Sequence, residues 1–297
     1  MSTRRFGRYS VETSSEDKVL FADAGITKGQ LIDYYEAVAD TMLRHLRDRA
    51  LTLHRFPDGI DADGFYQQQA GDYFPDWITR KTLSKEGGEV AHVVCDKAAT
   101  LVYLANQACI TPHCWLSRID EPDQPDRIVI DLDPADDDFS KVREAARLVA
   151  DAFDDLGLAV FLQVTGSRGI HVVAPIRRGP GFDDVRKRVR EIADRLADEH
   201  ADRLTVEQRK NKRGKRIYLD TSRLAYGQTM VAPYAVRAKP GAPVATPIKR
   251  EELDDKDLSP RRWTIDTVLD RLDAEGDLWD GIGRAARDFA IEPRNGS

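Results

Sequence analysis

Arg127-Ile-Val-Ile-Asp-Leu-Asp-Pro134 reads as a strand that ends in two carboxylates on one face. Ile128, Val129 and Ile130 are β-branched and suit a pleated, half-buried surface. Side chains alternate along a strand, so Asp131 and Asp133 project to the same side while Leu132 points away. Two carboxylates so placed suit a hard cation, Mg²⁺ or Mn²⁺, which keeps its other positions for water and substrate phosphates. Pro134 has no N–H to give to a ladder and ends the strand, and Asp136, Asp137 and Asp138 lead into a helix. An Asp-x-Asp pair alone also describes an ordinary solvated strand end. Its meaning depends on what accompanies it later in the chain.

The chain has 297 residues, enough for one large domain or two small ones. With 51 acidic and 45 basic residues its net charge is -6, which excludes a protein coated in positive charge for indiscriminate nucleic-acid binding. Any nucleic-acid site must be a local basic patch. Cys95, Cys109 and Cys114 are too few for a secreted disulfide scaffold, the start Met-Ser-Thr-Arg-Arg has no apolar segment behind it, and no run is long enough to span a bilayer. The expected address is the cytoplasm, with no membrane partner.

Upstream of the decisive strand, residues 1–14 read as a loose polar tail. Thr27 caps a helix whose apolar positions Leu31, Ile32, Tyr35, Val38, Met42 and Leu46 fall at helical spacing. Residues 51–56 alternate as a strand, and Phe65-Tyr66 and Tyr73-Phe74 follow as aromatic pairs among polar residues. Such pairs serve either as a satellite hydrophobic cluster or as a platform on which an unpaired base stacks. Residues 79–92 read as a hairpin or loop around Gly87-Gly88. Cys109, His113 and Cys114 raise a zinc site, against which stands the absence of any C-x₂-C pair; Cys95 or a distant group would have to supply the fourth ligand.

Downstream, residues 139–156 form an amphipathic helix and residues 158–164 a strand. Thr165-Gly-Ser-Arg-Gly-Ile-His171 then places hydroxyls, two glycines, a guanidinium and an imidazole at a bend between strands. This is either an ordinary glycine hairpin or a cradle in which backbone N–H groups, Arg168 and His171 meet a triphosphate. After a second amphipathic helix at 182–200, a basic run over residues 209–216 feeds the strand Ile217-Tyr-Leu-Asp220, which ends on a third carboxylate. Arg237 and Lys239 follow in Ala232-Pro-Tyr-Ala-Val-Arg-Ala-Lys-Pro240, and a packing helix near 263–272 precedes a polar tail. No linker divides the chain, which reads as a single domain over 1–297. Three carboxylates on two strand ends beside a Gly/Ser/Arg/His turn suit nucleotidyl transfer assisted by two metal ions. No P-loop is present.

The order Asp-Leu-Asp-Pro, Thr-Gly-Ser-Arg-Gly-Ile-His-Val, Leu-Asp-Thr-Ser and Ala-Pro-Tyr-Ala-Val-Arg resembles the polymerase domain of bacterial ligase D, within the archaeo-eukaryotic primase superfamily. The resemblance runs from about residue 17 to 247. It implies an α/β fold, a primase-like catalytic core with a mostly antiparallel central sheet and flanking helices. It implies that Asp131, Asp133 and Asp220 bind two Mn²⁺ or Mg²⁺ ions, and that Thr165, Ser167, Arg168, His171, His113, Arg237 and Lys239 contact the incoming nucleotide, a role for His113 that displaces zinc. Phe65 and Tyr66, with Arg55, match positions that meet the template strand. Lys18 and Lys28 match two lysines that grip the 5′-phosphate of a downstream DNA strand, and Lys suits a terminal phosphate as a point charge.

This sequence departs from the family pattern at Ser15, His54, Arg223, Gln228 and Lys239, changes that bear on nucleotide affinity and sugar preference more than on the metal site. The expected activity is template-directed extension of primers and filling of short gaps in DNA repair or end joining, with ribonucleotides accepted. Expected partners are DNA gaps or ends bearing a 5′-phosphate, nucleoside triphosphates, a separately encoded ligase and an end-binding protein. The alternatives are a non-catalytic module that bridges DNA ends and a primase that starts chains without a primer.

Overall fold

The computed structural model describes residues 2–290, which divide into two compact units. One is built around the decisive strand and comprises residues 116–228, 247–262 and the described part of 278–297. Its six-stranded sheet runs in the order Leu204–Thr205, Ile217–Asp220, Arg127–Asp133, Ile170–Pro175, Phe161–Val164 and Thr246–Ile248. Arg127–Asp133 pairs antiparallel with both neighbours, and Phe161–Val164 pairs antiparallel with Ile170–Pro175, while Leu204–Thr205 lies parallel to Ile217–Asp220. The sheet is therefore mostly antiparallel, as the sequence predicts.

Its central strand is sealed on both faces except at its acidic end: Ile128, Val129, Ile130 and Leu132 are fully buried, and Asp131 and Asp133 only partly. The helix Phe139–Asp155 packs on this strand and on Ile170–Pro175 through Val142, Ala146, Val149 and Phe153. Asp138 caps it by accepting from the Ser140 N–H. The helix Phe182–Glu199 buries Val185, Val189, Ile192 and Leu196, and Asp183 and Asp184 in its first turn complement the helix dipole. Gly169 is dictated by the sheet itself. A Cβ there would stand 2.1 Å from the Leu132 carbonyl oxygen, so only glycine lets the turn come this close to the decisive strand.

The other unit comprises the described part of residues 1–115 with 229–246 and 263–277. Its four-stranded sheet runs Thr229–Val231, Cys109–Trp115, Leu51–Arg55, Phe65–Gln67, with antiparallel pairing throughout. The capping box at Thr27 forms as expected, with Gln30 donating its backbone N–H to the threonine hydroxyl and accepting from the Thr27 N–H. The expected single helix is two, Lys28–Ala37 and Ala39–Leu46, which part at Val38. The expected hairpin forms as Arg80–Lys85 and Gly88–Val93.

Other boundaries differ from expectation; the strand read over 158–164 starts only at Phe161. The supposed N-terminal tail is an antiparallel hairpin, Ser2–Phe6 with Tyr9–Thr13. Its Val11 and Thr13 alternate inward and are buried, and the second strand packs on the helix Ala98–Asn106. The last helix starts later than expected, at Val268, because Thr264 is held in a bridge to Pro243. The tail beyond residue 290 lies outside the described residues. Among these, no helix is long and apolar enough to cross a membrane.

Candidate active site

Asp131 and Asp220 are direct cross-strand partners, although 89 positions separate them in the chain. Asp131 also pairs with His171 on its other side, and His171 pairs with Gln163. The row Asp220, Asp131, His171, Gln163 thus crosses four adjacent strands on one face. Directly opposed side chains share a face with Cβ atoms about 4.5–5.5 Å apart, so the row is one polar strip. His171 Nε2 lies 3.6 Å from Asp131 Oδ1. Asp220 Oδ1 accepts from the Ser222 N–H at 2.8 Å, which fixes the carboxylate at the strand tip.

Asp133, on the same face and opposite Tyr218, is engaged differently. Arg213 Nη1 donates to its Oδ2 at 2.9 Å, while Arg213 Nε and Nη2 donate to the carbonyls of Glu207 and Gln208 at 3.0 and 2.9 Å. The guanidinium also lies over the Tyr218 ring, 3.9 Å from its centroid. One residue of the basic run is thus buried and specific, while Lys210 and Lys212 beside it are exposed. A run of like charges conceals which member is turned inward.

The all-carboxylate donor set suits a hard divalent ion. Asp131 and Asp220, paired like charges at one strand end, are the part of it already assembled; Asp133 is the carboxylate that Arg213 holds. Among the described residues, no three His, Cys, Asp or Glu side chains converge as a metal cluster. The zinc alternative fails on geometry as well. The strand pairing sets Cys109 and Cys114 on one face, opposite Arg55 and Leu51, and His113 on the other, opposite Thr52, so the three side chains do not converge.

Beyond Asp131 the turn is rigid. Thr165 Oγ1 accepts from the N–H groups of Ser167 and Gly169 at 3.3 and 3.2 Å, so this hydroxyl shapes the loop from within. Arg168 donates to the Pro134 carbonyl at 3.1 Å and Arg261 to the Ser167 carbonyl at 3.0 Å. Ser167, Arg168 and Arg261 share a cleft of about 250 Å³ with Pro134, Asp136 and Phe139. Arg261 had no signal in the sequence. Its segment is tied to the helix Phe139–Asp155 by Arg143 and Arg147, which donate to the Leu253 carbonyl, and by Arg250, which pairs with Asp151 and Asp154.

The other unit gathers a second group of residues. His54 stacks on Tyr66 with centroids 4.0 Å apart and planes at 12°, and the Tyr66 ring meets His113 edge-on at 5.7 Å. Burial, with Arg237 and Lys239 nearby, pushes the His54 imidazole down to about 4. Arg237 is carried by a segment that Tyr35 anchors, its hydroxyl donating to the Ile110 carbonyl and accepting from the Val236 N–H. Phe65 and Tyr66 are 45% and 62% exposed, as a stacking platform requires. Arg55 braces that platform: it lies over the Phe65 ring and donates to Gln67, Tyr73 and the Gln107 carbonyl.

Lys18 and Lys28 come together through the pairing of Val19–Phe21 with Ile26–Thr27, where the Lys28 N–H donates to the Lys18 carbonyl at 2.8 Å. Lys18 is paired with Asp58 at 2.7 Å. Lys28 is buried, and that burial together with the Lys18 charge lowers its pKa. Such a pair of cations favours an anion.

Residues 27–279 match the family model described as LigD, primase-polymerase domain. The chain belongs to the LigD primase-polymerase family. It is 32% identical over 277 residues to the multifunctional non-homologous end joining DNA repair protein LigD of Mycobacterium tuberculosis, covering 90% of this chain and 36% of that protein. It is 31% identical over 268 residues to the bifunctional non-homologous end joining protein LigD of Bacillus subtilis, covering 90% of this chain and 43% of the relative. The chain therefore spans well under half the length of these LigD proteins. A solved polymerase domain of Mycobacterium tuberculosis ligase D, in complex with DNA, superposes with a TM-score of 0.88 at 31% identity, over 93% of this chain and 99% of that one. The primase-like α/β core expected from the motifs is thus present, and LigD primase-polymerase membership makes nucleotidyl transfer the chemistry of the domain.

Proposed function

We propose that this primase-polymerase domain is a metal-dependent, template-directed polymerase that extends primers and fills short gaps during DNA end joining, and that it accepts ribonucleotides. The observation that carries this reading is the row Asp220, Asp131, His171 continuing directly into the Ser167–Arg168 turn, which brings two carboxylates, an imidazole and that turn to one sheet end.

In the reaction the primer 3′-oxygen bonds to the α-phosphorus, the bond to the bridging oxygen of the β-phosphate breaks, and pyrophosphate leaves. Asp131, Asp133 and Asp220 would hold two divalent ions, Mn²⁺ or Mg²⁺, which when bound align the reacting oxygens and neutralise developing charge. Arg168 and His171 hold outer phosphates, and Ser167 supplies a hydroxyl. The family resemblance implies nucleotide contacts for His113, Arg237 and Lys239 as well. Phe65 and Tyr66 stack on the template, and Lys18 and Lys28 receive a downstream 5′-phosphate. The partners are then gapped or broken DNA, nucleoside triphosphates, a ligase that seals the product and a protein that holds the ends.

The test is extension of a labelled primer on a DNA template with Mn²⁺ or Mg²⁺ and each nucleotide type. Wild-type protein extends the primer, and D131A does not. An equal rate in D131A would remove Asp131 from the chemistry. Activity on a template without a primer would instead make the domain a primase, and DNA binding with no extension under any condition would leave an end-bridging role.

A further inference from the structure

Gln163 is 0% exposed, and neither its amide oxygen nor its amide nitrogen has a hydrogen-bond partner among the described residues. Its strand neighbours Phe161, Leu162 and Val164 are apolar. A buried amide with both ends unpaired costs stability that a leucine of similar size would not. The position of this amide is specific, for it stands directly across the ladder from His171. His171 is itself 5% exposed, and its Nδ1 is likewise buried without a partner among the described residues. Its other nitrogen, Nε2, is the one turned to Asp131. Two orphaned groups thus occupy one cross-strand pair, where opposed side chains are within mutual reach, and an amide can meet an imidazole nitrogen either as donor or as acceptor.

We propose that Gln163 is a positioning residue for His171: a rotation of its side chain, closing a pair that stands open in this structure, lets the amide N–H donate to His171 Nδ1 and so keeps the ring proton on Nε2, the nitrogen that faces Asp131 and the incoming phosphates. This deepens the polymerase reading and rests on it. A ring held in this tautomer presents a donor to phosphate oxygen, whereas the opposite tautomer presents a lone pair and repels it. Gln163 touches neither nucleotide nor metal ligand. Its effect is exerted through His171 alone.

Q163L and Q163M remove the amide while keeping its approximate volume. Both variants are expected to melt near the wild-type temperature, since losing the bond to His171 is offset by removing an amide oxygen that is buried without a partner among the described residues. The nucleotide KM should nevertheless rise by roughly tenfold, the loss expected for one buried hydrogen bond, with a smaller change in kcat. Nitrogen NMR of histidine-labelled protein should show His171 protonated on Nε2 in the wild type and as a mixture of tautomers in the variants. Q163E, whose carboxylate accepts from an Nδ1–H, should select the opposite tautomer and weaken nucleotide binding at least as much. Wild-type nucleotide KM together with unchanged His171 ring signals in Q163L or Q163M would overturn the proposal. The ring signals are read without any reaction, so absence of primer extension by the wild type would defeat the polymerase reading without deciding the role of Gln163.

Discussion

Arg213 donates to the Asp133 carboxylate at 2.9 Å from a side chain that is itself almost fully buried. A permanent cation thus sits on one of the carboxylates that a divalent ion would share. Arg cannot be deprotonated in a protein, so nothing short of moving the side chain removes this charge.

If Arg213 competes for Asp133, R213Q should increase the rise in melting temperature that Mn²⁺ produces. The same substitution should lower the melting temperature in the absence of metal, because Asp133 loses its counter-ion. Thermal melts with and without Mn²⁺ check both signs. An unchanged response to Mn²⁺ would show that Arg213 serves the loop at 207–213 and not the carboxylate.

Asp131 and Asp220 oppose one another as like charges, an arrangement that costs about 0.2–1 kcal/mol in a cross-strand pair. D131N should therefore leave the metal-free protein as stable as wild type or slightly more so, while abolishing primer extension. Denaturant melts and an extension assay on the same preparation test this. Marked destabilisation would mean that Asp131 is structural, acting through His171.

His54 gives a pH dependence. Its folded pKa of about 4 lies below the ordinary value of 6.5, so as pH falls the unfolded chain takes up the proton first. The stability tied to neutral His54 is whole above pH 6.5 and is lost as pH falls toward 4. H54F keeps a ring against Tyr66 and cannot titrate, so its melting temperature should fall less steeply across that window. Parallel curves for H54F and wild type would contradict the assignment.

Gapped DNA with a downstream 5′-phosphate should bind at least roughly tenfold more tightly than the same gap with a 5′-hydroxyl, the worth of a charge-assisted contact. K18A/K28A should erase the difference without slowing extension on an open primer-template. Discrimination retained by the double variant would place the phosphate pocket elsewhere.

The acidic strand, its antiparallel neighbours and the flanking helices were legible because alternation and helical spacing are local signals, visible in 127–134 and 139–156. The row across the sheet was legible only in part. Asp131, Asp220 and His171 stood out as polar residues at strand ends, whereas Gln163 lay inside an apolar run and its meaning comes from the residue across the ladder. Arg213 was hidden for the opposite reason, since Lys210, Lys212, Lys215 and Arg216 surround it with the same charge. The N-terminal hairpin was missed because residues 2–6 are mostly polar, and only Val11 and Thr13 mark its inward side. Thr165 reads as a ligand from its company, but its short-range bonds to Ser167 and Gly169 are not visible in residue types alone.

The close approach of Gly169 to Leu132 has a consequence for how this domain can vary. Side chains repeat every second residue along a strand, so one residue gained or lost beside that contact would exchange the two faces of everything beyond it. His171 would then turn toward the buried helix, and Ile170 would take its place beside Asp131. Insertions here can be tolerated only in steps that restore the parity of the ladder, whatever their composition.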